Sequence, residues 1–281
     1  MFKPCFLIIL FILLLLILVK KNNKFQIEKF TNNTDFIISM FITGGLCKEA
    51  ENLIITLKKL NLDSKLIVTC LDSEAENCIK KLGVKTRVKK NLKLARSATF
   101  STKDFYNITY QKLVIIQELL EETKKVVLFT DSDIVFLKDP TIDIKNFINS
   151  NYDILFQDES RKFGSNKKSI CTGFMVFKPT KQSINLLQES KKFMKNEMNN
   201  RQFDGGKSAD QYAVQVSVKK IKNLKYSYFD SKNYPNGARY FNNINSIYRS
   251  YIPIIIHNNF IKGLENKIKR FKKHGFWYVK E

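Results

Sequence analysis

Two aspartates, Asp131 and Asp133, stand two residues apart at the end of the apolar segment 126–130, and the chain turns apolar again directly after them. Side chains alternate along a strand, so residues two apart at its end project the same way. Adjacent carboxylates repel each other unless a cation lies between them, and a hard divalent cation also binds phosphate oxygens. The pattern predicts a metal and phosphate site, with an acidic turn between two strands as the alternative.

The apolar segments around this pair alternate between strand-like and helix-like spacing. This alternation predicts an α/β fold with a mostly parallel central sheet flanked by helices. The predicted strands are 36–43, 66–71, 84–88, 125–129, 153–157, 172–177 and 252–256, and the predicted helices are 48–60, 75–82, 110–121, 182–197 and 209–218.

Further polar residues follow predicted strands, where open α/β sheets bind their ligands. Asp72 follows the strand 66–71 and is a candidate for binding a base or ribose. His257 follows the segment 252–256 and is a candidate metal ligand, unless backbone groups alone satisfy its imidazole. The chain has neither a GxGxxG nor a P-loop pattern, so a bound phosphate must be held by metal and basic side chains.

The composition is that of a folded protein with a strong positive charge. The 281 residues suffice for one substantial core, and 44% of them are hydrophobic. Lys and Arg number 48 against 26 Asp and Glu, which gives a net charge of +22 and can indicate a polyanionic partner. The lysines are dispersed and no zinc finger or helix-turn-helix is evident, so nucleic-acid binding is disfavoured. A non-enzymatic, membrane-anchored basic binding protein stays as an alternative.

The N-terminus predicts a membrane anchor. The apolar run from Cys5 to Val19 spans roughly 22 Å as a helix, and Lys20 and Lys21 follow it without a cleavage pattern. We therefore divide the chain into a signal anchor (1–21), a polar stem (22–35) and a single domain (36–281). The lysines that follow the anchor favour a cytosolic orientation of that flank. The cysteines leave free thiols and disulfides equally open.

Several blocks of residues occur in an order that resembles the nucleotide-diphospho-sugar transferases. These are GT-A-fold glycosyltransferases, and the chain is similar to the family-77 enzymes from about Phe36 to Trp277. The family more often carries Asn where this chain has Cys171. The blocks are Phe100-Ser101-Thr102, Lys112, the segment 126–140, Thr172-Gly173-Phe174-Met175, Ala209-Asp210-Gln211, His257-Asn258-Asn259 and Lys262-Gly263.

This resemblance implies a GT-A-type, Rossmann-like fold, a nucleotide-sugar donor and a glycan, protein or lipid acceptor. It implies a metal site of Asp131, Asp133 and His257 for Mn²⁺ or Mg²⁺, and the imidazole favours Mn²⁺. It assigns Asp210 to the donor-sugar hydroxyls and Gln211 to the surroundings of the anomeric carbon; a helix-capping Asp210 is the alternative. The implied donor-binding residues are Lys112, Thr43, Asp72, Ser132, Gly173, Lys262 and Gly263.

Alternatives remain for some of these assignments. Lys112 lies on a predicted amphipathic helix, where a solvated lysine is as common as a phosphate ligand. The lack of an evident strong nucleophile favours retention, in which the resemblance implies that the departing phosphate helps to deprotonate the acceptor. An inverting enzyme would need a carboxylate base such as Asp210 or Asp158.

A rival activity and the membrane topology also stay open. A nucleotidyltransferase would need a second metal and further carboxylates near Asp131, and Asp139 and Asp143 lie too far along the chain. The resemblance implies a single-pass type II protein with a lumenal catalytic domain, whereas the lysines after the anchor argue mildly for the cytosol.

Overall fold

The computed structural model describes residues 35–89, 92, 94–98, 102–165, 167–199 and 209–280. The predicted anchor and nearly all of the predicted stem lie outside the described residues, as do Phe100 and Ser101 of the first family block. No helix within the described ranges is long and apolar enough to cross a membrane. The chain from Phe36 onward forms one unit.

The strands form a main sheet and a small sheet. Their bounds are β1 Phe36–Ile42, β2 Leu66–Cys70, β3 Lys85–Val88, β4 Val126–Thr130, β5 Ile134–Phe136, β6 Ile154–Asp158, β7 Ile170–Phe177, β8 Tyr226–Tyr228 and β9 Ile255–His257. The main sheet has the order β3-β2-β1-β4-β7-β6-β8. Within the described main sheet, only β7 runs antiparallel to its neighbours. The predicted mostly parallel sheet with flanking helices is confirmed.

Helices cover both faces of the main sheet because its central strands are apolar on both sides. Ile38 and Met40 of β1 pack into one core cluster, and Ile37 and Phe41 pack into the other. The described helices are α1 Cys47–Lys59, α2 Ser73–Lys80, α3 Lys103–Thr123, α4 Thr141–Asn149, α5 Lys181–Met198, α6 Asp210–Ser217, α7 Gly237–Asn242 and α8 Leu264–Lys273. Residues of α1 and α2 belong to the first cluster, and residues of α3, α5 and α6 belong to the second.

Two predicted elements differ most from the observed bounds. The helix predicted to begin at Tyr110 begins at Lys103, because the side chain of Thr102 accepts a hydrogen bond from the N–H of Phe105 and caps an earlier turn. The strand predicted at 252–256 is formed only by Ile255–His257, and it pairs in the small sheet. Pro253 has no N–H and cannot donate to a strand ladder.

A disulfide joins Cys47, the first residue of α1, to Cys78 of α2, with their Cα atoms 6.2 Å apart. Cys70 and Cys171 are free, buried thiols. The sequence left this pairing open because the two bonded cysteines are 31 residues apart. The bond braces the two helices that follow β1 and β2 at one edge of the sheet.

Candidate metal and donor site

Asp131 and Asp133 lie beyond the end of β4, between the main sheet and the small sheet. Antiparallel pairing of β5 with β9 places Ile134 opposite His257. The N–H of Asn258 donates to the carbonyl oxygen of Asp133 over 2.8 Å, which extends this pairing by one residue. One ligand atom of Asp131, one of Asp133 and one of His257 therefore lie within 4.8 Å of one another.

The imidazole of His257 is oriented by Gln157, a residue that no sequence pattern singled out. The amide Nε2 of Gln157 donates to the carbonyl oxygens of Tyr234 and Pro235, each over 3.1 Å. These two bonds turn its Oε1 towards His257, where it lies 2.7 Å from Nδ1. The imidazole proton therefore belongs on Nδ1, and Nε2, which is 3.4 Å from Oδ1 of Asp133, keeps the lone pair that binds a metal.

Gly173 leaves space beside these groups. A Cβ atom at this position would lie 2.9 Å from both Oδ2 of Asp131 and Nε2 of His257, which is closer than a carbon atom tolerates. A residue with any side chain would therefore fill the space between the carboxylate and the imidazole. Two carboxylates and a neutral imidazole around an open space fit a divalent cation such as Mn²⁺ or Mg²⁺.

We expect Gln157→Ala to weaken Mn²⁺ binding by roughly 10–100-fold, because Nδ1 of His257 loses the partner that fixes its tautomer and ring orientation. Calorimetry in metal-free buffer measures this affinity. His257→Ala should weaken Mn²⁺ binding more than nucleotide binding. Gln215→Ala is the matched control, since its amide donates to Ser169 and Ile170 instead. Unchanged metal affinity in the first two variants would make His257 a structural residue.

Lys112 is buried between two carboxylates, so its interpretation as a solvated lysine is wrong. Its Nζ lies 3.0 Å from Oδ1 of Asp131 and 2.9 Å from Oδ2 of Asp210, and it donates to the carbonyl oxygen of Thr172 over 3.2 Å. Burial lowers the pKa of Lys112, but the two carboxylates outweigh burial and raise it above the usual lysine value. The charged ammonium therefore connects the end of β4 to the start of α6.

Asp210 and Gln211 open α6 and face the end of β7. The hydroxyl of Thr172 donates to Oδ2 of Asp210 over 2.8 Å, and its backbone N–H donates to Oε1 of Gln211 over 3.4 Å. The N-cap of α6 is Ala209, which makes no side-chain capping bond. The buried carboxylate of Asp210 therefore bonds to Lys112 and Thr172 instead of capping its helix.

Lys267 is the lysine that the structure places beside Asp133, with Nζ 2.8 Å from Oδ2. Burial raises the pKa of Asp133, but the charge and hydrogen bond of the Lys267 ammonium oppose burial, and the pKa lies well below its usual value. The sequence pointed instead to Lys262, which is exposed and precedes the N-cap Gly263. Helical spacing could have indicated Lys267, because it lies one turn after Gly263. Its N–H donates to the carbonyl oxygen of that glycine.

Glu49 is a buried carboxyl in the first turn of α1 that the sequence patterns also missed. Its Oε1 has no hydrogen-bond partner among the described residues. Burial raises the pKa of Glu49 to about 8, although the positive charge of Lys267 opposes the shift. The carboxylates of Asp133 and Asp131 add to the increase. The folded chain therefore favours a neutral Glu49 near the metal ligands.

We expect the stability of the metal-free protein to fall as the pH rises between about 4.5 and 8, because folded Glu49 retains a proton that the unfolded chain has released. This group contributes at most about 1.4 kcal/mol per pH unit. Glu49→Gln should reduce the slope and raise the stability most above about pH 8. Urea unfolding across this range, with EDTA present, measures the effect. An unchanged slope in Glu49→Gln would show that Glu49 releases its proton equally in both states.

The predicted nucleotide contacts Thr43 and Asp72 lie in a separate loop region beside β1 and β2. Asp72 caps α2, since its Oδ1 accepts from the N–H of Ala75 over 2.7 Å, and its Oδ2 accepts from the N–H of Gly44 over 2.9 Å. The hydroxyl of Thr43 donates to the carbonyl oxygen of Arg96 over 2.6 Å. Contacts of Thr43, Asp72 and the buried Ser132 with a nucleotide stay predictions.

Asp158 does not fit the role of a catalytic base. Its Oδ2 accepts from the guanidinium of Arg239 over 2.7 Å, and its Oδ1 accepts from the N–H groups of Ser160 and Ser169. Burial raises the pKa of Asp158, but these hydrogen bonds outweigh burial and lower it below the usual value. The neighbouring Glu159, not Asp158, is the carboxyl beside the metal ligands, where burial raises its pKa although hydrogen bonds from Cys171 and Asn259 oppose the shift.

Asp139 and Asp143, the carboxylates considered as ligands of a second metal, form hydrogen bonds elsewhere. Oδ1 of Asp139 accepts from the N–H of Thr141 over 2.8 Å. Oδ2 of Asp143 accepts from the hydroxyl of Tyr234 over 2.7 Å. Neither residue belongs to the metal-ligand group that the described residues contain.

A mostly parallel sheet with two carboxylates and an imidazole beyond its strand ends is the arrangement of a GT-A-type transferase. The chain belongs to the nucleotide-diphospho-sugar transferase family, whose model matches residues 61–271. A glycosyltransferase involved in the glycosylation of the major capsid of PBCV-1 has a similar fold, with a TM-score of 0.51 and 14% sequence identity over 85% of this chain and 98% of that chain.

Two curated relatives are glycosyltransferases by name. The UDP-galactose:fucoside alpha-3-galactosyltransferase of Dictyostelium discoideum is 26% identical over 82% of this chain and 41% of its own length. The UDP-D-xylose:L-fucose alpha-1,3-D-xylosyltransferase MGP4 of Arabidopsis thaliana is 27% identical over 64% of this chain and 52% of its own. The match thus spans about half the length of these relatives.

Proposed function

We propose that this chain transfers a sugar from a nucleotide-diphospho-sugar to a glycan hydroxyl, with a divalent metal held by Asp131, Asp133 and His257. The convergence of these three residues, beside the buried Lys112 and the half-buried Lys267, carries the proposal. Together they offer metal ligands and positive charge to a diphosphate. Mn²⁺ suits this donor set better than Mg²⁺, because one ligand is an imidazole.

A UDP-sugar is the proposed donor and a fucose residue is the proposed acceptor. The two curated relatives use different sugars, galactose and xylose, but both are named for a UDP donor and a fucose-type acceptor. Both names also specify an alpha linkage to position 3 of the acceptor. Sugars in UDP-galactose and UDP-xylose are α-linked, so an alpha product corresponds to retention of configuration.

The side chains of this site have separable tasks in such a transfer. When bound, the metal stabilises the negative charge of the departing diphosphate. Lys267 adds positive charge beside Asp133, and Lys112 holds Asp131 and Asp210 in fixed positions. Asp210 accepts hydrogen bonds from the donor-sugar hydroxyls.

Gln211 is proposed to lie near the anomeric carbon, where the departing phosphate takes the acceptor proton in a front-face reaction. Thr172 fixes this glutamine through the bond from its N–H to Oε1. Inversion would need a carboxylate base, and Asp158, the candidate besides Asp210, is paired with Arg239. Retention is therefore the stereochemical outcome that we propose.

A thermal-shift titration with Mn²⁺, UDP and both together tests the proposal. If the chain has this mechanism, Mn²⁺ and UDP together should raise its melting temperature by more than the sum of the two separate increases. Incubation with UDP-galactose or UDP-xylose and methyl α-L-fucoside should then release UDP and form an α-linked disaccharide. Release of a sugar 1-phosphate, with UMP transferred to the acceptor, would indicate nucleotidyl transfer, and no coupled shift and no product would refute both activities.

We also propose that the domain 36–281 lies in an oxidising lumen and is tethered by the segment 1–21. Disulfides persist in oxidising compartments, and Cys47 and Cys78 are bonded. Deleting residues 1–24 should release a soluble, active domain, because the proposed chemistry lies beyond Phe36. Protease treatment of sealed vesicles tests the orientation, since digestion without detergent would place the domain in the cytosol.

A further inference from the structure

Phe260 combines an exposed ring with an unfavourable backbone conformation. Its φ angle is 58°, in the left-handed region that residues with a large side chain rarely adopt. Its side chain remains 37% exposed, so burial of the ring does not explain the conformation. Such a conformation costs about 1–3 kcal/mol and is found mostly at functional sites, where the surrounding structure enforces it.

The surrounding structure enforces this conformation through Asn259. Oδ1 of Asn259 accepts from the N–H of Gly237 over 2.6 Å, and its carbonyl oxygen accepts from the guanidinium of Arg270 over 2.5 Å. Asn259 is thus fixed on both its side chain and its backbone. Phe260 lies three residues after His257, so this fixed segment connects the ring along the chain to a proposed metal ligand.

A second rigid segment faces the same ring. The guanidinium carbon of Arg161 lies 5.0 Å from the centre of the Phe260 ring. The segment that carries Arg161 is anchored by the buried Asp158–Arg239 pair and by Asn236, whose Nδ2 donates to the carbonyl oxygens of Asp158 and Ser160. The pair of Phe260 and Arg161 is therefore held by two independently fixed segments.

Glu159 supplies a hydrogen-bonding group between this ring and the metal ligands. Its Oε2 accepts from Nδ2 of Asn259 over 3.0 Å. Its carboxyl also interacts with the thiol of Cys171, whose Sγ lies 3.7 Å from Nδ1 of His257. Its own side chain is half-buried, so part of it stays exposed to solvent. The apolar ring and the cation are thus connected through Asn259 to a carboxyl that contacts Cys171 beside His257.

We propose that Phe260, Arg161 and Glu159 form the acceptor subsite and select a 6-deoxy sugar. This inference rests on the proposed function, in which the acceptor is a fucose residue. The methyl group and adjacent C–H groups of the sugar would pack on the Phe260 ring, as ligands generally pack on aromatic pocket walls. Glu159 and Arg161 would hydrogen-bond to its hydroxyl groups and set which of them faces the donor.

Methyl α-L-fucoside and methyl α-L-galactoside test this selection, because they differ only by a hydroxyl on C6. Saturation-transfer NMR on the full chain with UDP and diamagnetic Mg²⁺ in place of Mn²⁺ should give the strongest transfer to the protons of the fucoside C6 methyl group. The galactoside should bind roughly tenfold or more weakly, as expected when a hydroxyl meets an apolar surface. Equal affinities of the wild-type chain for the two sugars would overturn the proposal.

Phe260→Gly separates acceptor binding from a structural role. Glycine adopts positive φ without strain, so this variant should unfold at the same or a higher urea concentration than the wild type. It should nevertheless lose the preference for fucoside over galactoside. A clear loss of stability together with unchanged sugar preference would show that the ring only packs the fold. Tyr152→Ala is the matched control, because Tyr152 is an aromatic residue of similar exposure, 40%. It precedes β6, whereas Glu159 of the proposed subsite follows the other end of that strand.

The same samples distinguish failure of this inference from failure of the proposed function. A coupled thermal shift with Mn²⁺ and UDP but no sugar selectivity would refute the acceptor subsite alone. Absence of the coupled shift in the wild-type chain would refute the glycosyltransferase proposal and the subsite together. A coupled shift with Phe260-dependent selectivity supports both.

Discussion

Asp131→Asn and Asp133→Asn should each reduce sugar transfer by roughly 100–1,000-fold while the protein stays folded. Each substitution removes a negative ligand from the cluster that includes His257, and so weakens the metal that stabilises the departing diphosphate. The loss corresponds to about 3–4 kcal/mol of transition-state stabilisation, comparable to that of one preorganised oxyanion contact. Transfer from the UDP-sugar that is active with the wild type measures it.

The two variants differ in which lysine loses its partner. Asp131 bonds to Lys112 and Asp133 bonds to Lys267, so far-ultraviolet circular dichroism and urea unfolding must accompany the assay. Asp139→Asn is the matched control, because Asp139 accepts a bond from Thr141 at the start of α4. Wild-type activity in either Asn variant, or full wild-type activity in EDTA, would eliminate the proposed metal role.

Lys112→Met should destabilise the metal-free protein by about 3–5 kcal/mol, because it leaves the buried Asp210 and the half-buried Asp131 without their shared cation. Methionine has similar length, so the loss reflects charge more than packing. Urea unfolding in EDTA measures the change. Mn²⁺ should restore part of the lost stability, because a bound cation neutralises Asp131. Combining Lys112→Met with Asp210→Asn should also lessen the loss, since one unpaired charge is removed.

Lys220→Met provides the comparison for a surface ion pair. Its Nζ lies 3.0 Å from Oε1 of Glu189, and the side chain of Lys220 is exposed. Loss of such a pair costs at most about 1 kcal/mol. Equal effects of Lys112→Met and Lys220→Met would mean that solvent reaches Lys112 and its two carboxylates.

Sequence periodicity determined the type of most elements but not all of their ends. The continuous apolar run at β1 indicated a strand buried on both faces, and its side chains do alternate between two core clusters. The start of α3 was not predicted because it is set by the cap at Thr102, and its first turns mix polar residues with the buried Tyr106 and Ile108. The small sheet was not predicted, because its three-residue strands β5 and β9 are recognisable only from their pairing with each other.

The paired aspartates were readable from the sequence by themselves because both follow one strand and are two residues apart. What surrounds them depends on contacts between distant parts of the chain, which local patterns do not encode. Gln157 and His257 are 100 residues apart, and their contact arises only when β6 and β9 end at the same edge of the fold. The burial of Glu49 and the pairing of Lys267 with Asp133 likewise required α1 and α8 to pack against that edge. Strand and helix propensities act over a few neighbouring residues, whereas charge, tautomer and burial depend on which segments the tertiary structure brings together.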